Sequence, residues 1–193
     1  SRQNLPQIAA VSAACHGVFR GRVTAVSADF AGEICRLLEK QGMRSIYLNG
    51  LCGDIDPIKQ DDALLDSFAK LVVSCFEKEK APLSLTLAGG SLPFTLALTP
   101  VTMEDIKNAA AQAVLRAGGE SEPAARVALT WEREMTERFS SLGTAENIVV
   151  KVLLLGGVPI MALPFEGFTQ IGMDIRRLSG RSDIELLAIA ATA

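Results

Sequence analysis

Ile8 to Cys15 is a run of β-branched and alanine residues that ends on His16, and Phe30, Ile34, Leu37 and Leu38 then recur at i, i+4, i+7 and i+8. A short second run, Ser45 to Asn49, is followed by Leu64, Leu65, Phe68, Leu71, Val72, Cys75 and Phe76, again at helical spacing. This strand–helix–strand–helix order is the strongest restriction on the fold. A pair of parallel strands needs a connection about as long as a helix, so the first part of the chain predicts a parallel or mixed sheet with flanking helices. Ser27 and Asp29 offer caps for the first helix, which closes near Gly42.

Further along, Leu83 to Leu98 reads as two short apolar strands around Gly89-Gly90, a hairpin or a bulged strand with Pro93 confined to an edge. Thr102 can cap a helix running to about Ala117, and Pro123 suits the first turn of another bearing Val127, Trp131, Met135 and Phe139. These two predict a helical hairpin insertion over 102–142. Ile148–Leu155 and Pro159–Leu163 follow as strands joined through Gly156-Gly157, then a helix with Ile171, Ile175 and Leu178, then a strand over Glu185–Ala191. The expected class is therefore α/β, with a mixed, largely parallel sheet, within a single segment spanning 1–193.

Composition removes several functions. Hydrophobic residues make up 49% of the chain and charged residues 21%, which suits a packed core and not a disordered tail. Its 22 acids and 19 bases are scattered, giving a net charge of −3 with no basic patch for nucleic acid or an anionic membrane surface. The longest apolar run, Ile148–Leu155, is broken by Lys151 and falls far short of the ~20 residues of a membrane span. Cys15, Cys35, Cys52 and Cys75 show no Cys-x-x-Cys spacing and read as free, buried thiols. The chain opens Ser-Arg-Gln-Asn, with no initiating Met or signal-type apolar stretch, which fits a processed or excised segment and assigns no compartment.

Three strand ends carry polar residues beside glycine: His16-Gly17, Gly53-Asp54-Ile55-Asp56 and Glu166-Gly167. In open α/β sheets such ends line the crevice where ligands bind. His16, the sole histidine, can bind zinc or act as a base near neutral pH, or can be a hydrogen-bonded loop residue. Asp54 and Asp56 can face one pocket or cap the turn before Pro57, and Glu166 can be a metal ligand or a helix cap. A Gly-x-Ser-x-Gly elbow, His-Glu-x-x-His and a phosphate-loop Gly-Lys-Ser/Thr are all absent from the sequence.

In order, His16, Ser27-Ala-Asp29-Phe-Ala-Gly32, Asn49-Gly-Leu-Cys-Gly-Asp-Ile-Asp-Pro57 and Leu163-Pro-Phe-Glu166-Gly-Phe-Thr-Gln-Ile-Gly172 resemble the catalytic domain of the neutral/alkaline, non-lysosomal ceramidases. The resemblance implies a zinc-dependent hydrolase of linear amides of the N-acylated sphingoid-base type. That family holds its zinc by two histidines, a glutamate and a tyrosine. By position His16 and Glu166 match one histidine and the glutamate, while the other histidine and the tyrosine have no matched position and Tyr47 is misplaced to substitute. The resemblance thus implies that this chain is an internal piece of a longer protein. The remainder of that polypeptide would complete the site, so the segment alone is expected to be inactive and to bind metal weakly. Asp56 stands where ceramidases carry a serine, and His16-Gly17 replaces their usual His-Pro. In this scheme Asp56 orients substrate or accepts a proton, and Gly53 and Asp54 border the substrate, a small amide or lipid-like molecule. The alternatives are a noncatalytic relative that binds a small amphipathic ligand, and a likeness of architecture alone.

Overall fold

The computed structural model describes residues 8–21, 24–84 and 86–188. The element order is β1 (Ile8–Ala13), α1 (Asp29–Glu39), β2 (Arg44–Asn49), α2 (Asp62–Glu79), β3 (Leu87–Ala97), α3 (Met103–Ala117), α4 (Pro123–Arg138), β4 (Ala145–Leu155), β5 (Val158–Leu163), α5 (Thr169–Ser179) and β6 (Glu185–Ala188). This is a mixed α/β architecture with two sheets. β1 and β2 form a parallel pair, and a second sheet has the order β3-β4-β5-β6. Within it β4 and β5 are antiparallel and β5 and β6 parallel. The expected continuation of β6 to Ala191 lies outside the described residues.

The chain divides into two compact units, one of 1–92 with 149–193 and one of 93–148. In the first, α1 buries Phe30, Ile34 and Leu38, and α2 buries Leu65, Ala69 and Val73. Their spacing puts one apolar stripe of each helix against Ala9 and Val11 of β1, and Phe19, Phe30, Phe68 and Tyr47 add an aromatic cluster with ring centroids 5.0–5.7 Å apart. Leu71, placed by spacing on the α2 stripe, instead stays 60% exposed. Cys15 and Cys52 are buried as expected of apolar thiols, but Cys75 is exposed.

The second unit holds α3 and α4. Thr102 and Asp105 close a reciprocal capping box, Gly118 ends α3 at φ 93°, and Pro123 occupies the first turn of α4. Here the apolar spacing of α4 misjudges its buried face. Ala125 is fully buried, whereas Val127 and Trp131 are 67% and 40% exposed. The region around Gly89-Gly90 is also not a hairpin, because β3 runs unbroken through both glycines. Pro93 is tolerated since β3 is an edge strand of its sheet.

Candidate functional site

The register of the β1/β2 pair brings the first two loops of the site together. Ala13 is paired with Asn49, and Gly50 N–H donates to the Ala13 carbonyl at 2.9 Å, extending the ladder past both strands. His16 and Cys52 each stand three residues beyond those paired ends. His16 N–H then donates to the Ile55 carbonyl at 3.0 Å, and Gly53 N–H donates to the Gly167 carbonyl at 3.1 Å. The loops after β1, β2 and β5 are therefore tied to one another by backbone bonds, all within the first unit.

Behind His16 the chain is anchored to the start of α1. Asp29, at φ 49°, accepts Arg20 N–H on one carboxylate oxygen and Phe30 N–H on the other, while its own N–H donates to Ser27 Oγ. Aspartate is among the few residues that enter this left-handed region readily, which explains its place at the turn.

These ties converge three side chains. His16 Nε2 lies 3.1 Å from Glu166 Oε1, and the ligating atoms of His16, Cys52 and Glu166 all fall within 4.8 Å of one another. The His16 and Glu166 side chains are 33% and 59% exposed, so solvent reaches the pair, while Cys52 is buried beneath them at 2%. Cys52 Sγ accepts a hydrogen bond from Asn49 Nδ2 at 3.3 Å. A nitrogen, a sulfur and a carboxylate oxygen make a donor set that suits zinc.

Glu166 does not cap a helix. It sits three residues ahead of α5, whose first N–H, that of Thr169, donates to Asp54 Oδ1 at 2.7 Å, with the Thr169 hydroxyl donating to the same oxygen at 2.8 Å. These two donors hold the Asp54 carboxyl below the usual aspartate range. Asp54 thus caps α5 from a loop 115 residues away in sequence. Gly53 lies directly against two side chains of the third loop: a Cβ there would stand 2.5 Å from Phe168 Cδ1 and 3.2 Å from Glu166 Cγ.

Asp56 is exposed and its carboxylate makes no hydrogen bond or ion pair among the described residues. It lies outside the His16–Cys52–Glu166 cluster. Burial pushes the Cys15 thiol up, and the nearby Cys52, Asp56 and Asp29 add to that effect. Tyr47 is structural: its hydroxyl donates to the Ala13 carbonyl at 2.6 Å, and burial raises its phenol far above the ordinary tyrosine value. A cleft of about 250 Å³ beside the loops is lined by residues including Ala14, Gly50, Leu51, Ile55, Thr169 and Met173, and none of the three clustered donors lines it.

Cys52 is the residue that sequence pattern missed. Its apolar neighbour Leu51 and lack of a Cys-x-x-Cys partner marked it as a core thiol, and the only pointer was its place in the glycine-bounded loop after β2. No protein-family model matches this chain, and neither the characterised proteins nor the solved structures include one similar to it.

Proposed function

We propose that this chain carries part of the active site of a zinc-dependent amide hydrolase resembling the neutral/alkaline ceramidases, with His16 and Glu166 as metal ligands. The observation that supports this reading is the 3.1 Å approach of His16 Nε2 to Glu166 Oε1, from loops that follow different strands. Ligands of one zinc each lie about 2 Å from it, so an imidazole and a carboxylate that share it stand a few ångström apart, as these two do. When bound, zinc would lower the pKa of a water molecule and polarise an amide carbonyl.

The chain's own residues supply position. His16 is held by its N–H bond to Ile55, and Glu166 is held by the Gly53–Gly167 bond and by the Asp54 cap on α5. Asp56, exposed and free of other partners among the described residues, is the group available to orient substrate or accept a proton. No helix among the described residues is long and apolar enough to cross a membrane.

Calorimetric titration with zinc tests the reading. Measurable binding by the wild type, lost in both His16→Ala and Glu166→Gln, is expected; a wild type that binds no zinc, or variants that bind it equally well, removes the proposal. Asp56, in place of the ceramidase serine, favours a second reading as a noncatalytic binder of a small amphipathic molecule. In the longer polypeptide that the resemblance implies, an N-acylated amine that binds the zinc-loaded protein and is recovered intact would select that second reading, whereas turnover that is lost in Asp56→Ala would select the hydrolase.

A further inference from the structure

We infer that Cys52 is a third ligand, so that this chain by itself closes a His–Cys–Glu centre for a thiophilic divalent cation such as zinc. The inference rests on the reading of His16 and Glu166 as metal ligands and changes what the site can hold. Two protein ligands bind zinc weakly, whereas three plus a water are the usual complement of a catalytic zinc. Zinc accepts mixed nitrogen, sulfur and oxygen donors, and a sulfur donor disfavours magnesium and calcium, which take oxygen ligands.

Three features carry the assignment. The first is placement: paired positions of two parallel strands deliver His16 and Cys52 to the same end of the sheet, and all three donor atoms lie within 4.8 Å of one another. The second is the Asn49 amide, which donates to Cys52 Sγ at 3.3 Å. An outer partner of this kind orients a ligand toward the metal. The third is burial. At 2% exposure Cys52 lies below the more open His16 and Glu166, leaving the outer side of the cluster to solvent or substrate. A nucleophilic role for the thiol fits less well. Cys52 makes no hydrogen bond to the imidazole among the described residues, and His16 Nε2 already faces Glu166.

Cobalt(II) substitutes for zinc and reports sulfur ligation by absorbance, so the reduced, metal-free full chain is titrated with cobalt and then with zinc. One equivalent is expected to produce visible d–d bands together with a near-ultraviolet thiolate-to-cobalt charge-transfer band. Cys52→Ser should remove the charge-transfer band and weaken binding by more than the roughly 10–100-fold that loss of an outer partner costs. Cys75→Ser, at an exposed position, should change neither. A variant-free check is X-ray absorption of the zinc-loaded wild type, expected to show one sulfur at about 2.3 Å beside lighter ligands at about 2.0–2.2 Å. Binding that depends on His16 and Glu166 but shows no sulfur by either method overturns the role of Cys52 and leaves the two-ligand reading standing. A sulfur signal that survives both His16→Ala and Glu166→Gln overturns the three-ligand centre and that reading together, as does a wild type that binds neither metal.

Discussion

Internally, the two compact units differ in emphasis: loops tied across the sequence define the donor cluster of one, and helix caps define the helical pair of the other. In the unit formed by 1–92 and 149–193, the decisive bonds join residues far apart in sequence: Asp54 to Thr169 across 115 residues, Tyr47 to Ala13 across 34, and the loops of His16, Gly53 and Gly167 to one another. In the unit of 93–148, the helix ends are set by local bonds, while two longer ones close it: Leu98 N–H donates to the Thr144 carbonyl at 2.8 Å and the Thr95 hydroxyl donates to Asn147 Oδ1 at 2.7 Å. Thr102 and Asp105, three residues apart, cap α3, and Gly118 and Pro123 end one helix and begin the next. Burial differs as well. Phe30, Ile34, Leu38 and Leu65 are fully buried large side chains of the first unit, whereas Ile106 alone has that status in the second. The convergent donors depend on long-range contacts within the first unit, which bring three loops to one point.

The largest effect expected from this contrast follows the loss of a core side chain. Ile34→Ala should cost about 2–5 kcal/mol, because a fully buried isoleucine loses both transfer energy and packing. Hydrogen exchange should show α1, α2 and the donor loops losing protection while α3 and α4 keep theirs. Equal loss in all four helices would mean that the units do not unfold separately.

Next is Gly53→Ala, whose methyl group would stand 2.5 Å from Cδ1 of the half-exposed Phe168 ring, so that this ring must shift. It should also part His16 from Glu166 and reduce zinc affinity at unchanged helix content; an affinity equal to wild type would show that the two loops are not coupled through Gly53. Thr102→Ala should cost about 1 kcal/mol, the usual worth of an N-cap, with the loss of amide protection confined to the first turns of α3. Spread of that loss to the donor loops would erase the distinction between local and long-range stabilisation.

The smallest effect is one of pH. Asp54 and Asp105 are both held below the usual aspartate range, the first by Thr169 and the second by Thr102. A carboxyl depressed in the folded state stabilises the fold fully above its unfolded pKa, and that contribution disappears as pH falls through the lower folded value. Acidification should therefore loosen the start of α5 and of α3 alike. In a short peptide spanning 100–119 the depression of Asp105 should persist in part, whereas in one spanning 49–58 Asp54 should titrate as an ordinary aspartate. Carbon-detected NMR titration of both peptides distinguishes these outcomes.

Much of this arrangement can be read directly from residue order. Spacing of Phe30, Ile34 and Leu38 marks the buried stripe of α1, Thr102 and Pro123 mark two helix starts, and Gly156-Gly157 marks the turn between β4 and β5. Each depends on backbone geometry and hydrogen bonds within a few residues, which is the range over which a sequence states its preferences openly. His16 and Glu166 were legible as polar residues next to glycine at strand ends, and their approach to 3.1 Å is consistent with that pattern.

What the tertiary structure alone decides is which of several chemically able residues share one place. Cys52 enters the cluster because β1 and β2 pair with Ala13 opposite Asn49, which sets its loop level with that of His16; a slip of one residue would displace the two loops from each other. Asp54 is committed to Thr169 and Asp56 is not, although both stand in the same loop and either could cap a turn on local grounds. Val127 and Trp131 remain exposed on a helix whose spacing suggested burial, since the partner surface available to α4 takes Ala125 instead. Sequence by itself determined the elements and the polar character of their ends, because those follow from short-range sterics and hydrogen bonding. Register and loop closure determined the donor set, because they are properties of strands and loops brought together from distant parts of the chain.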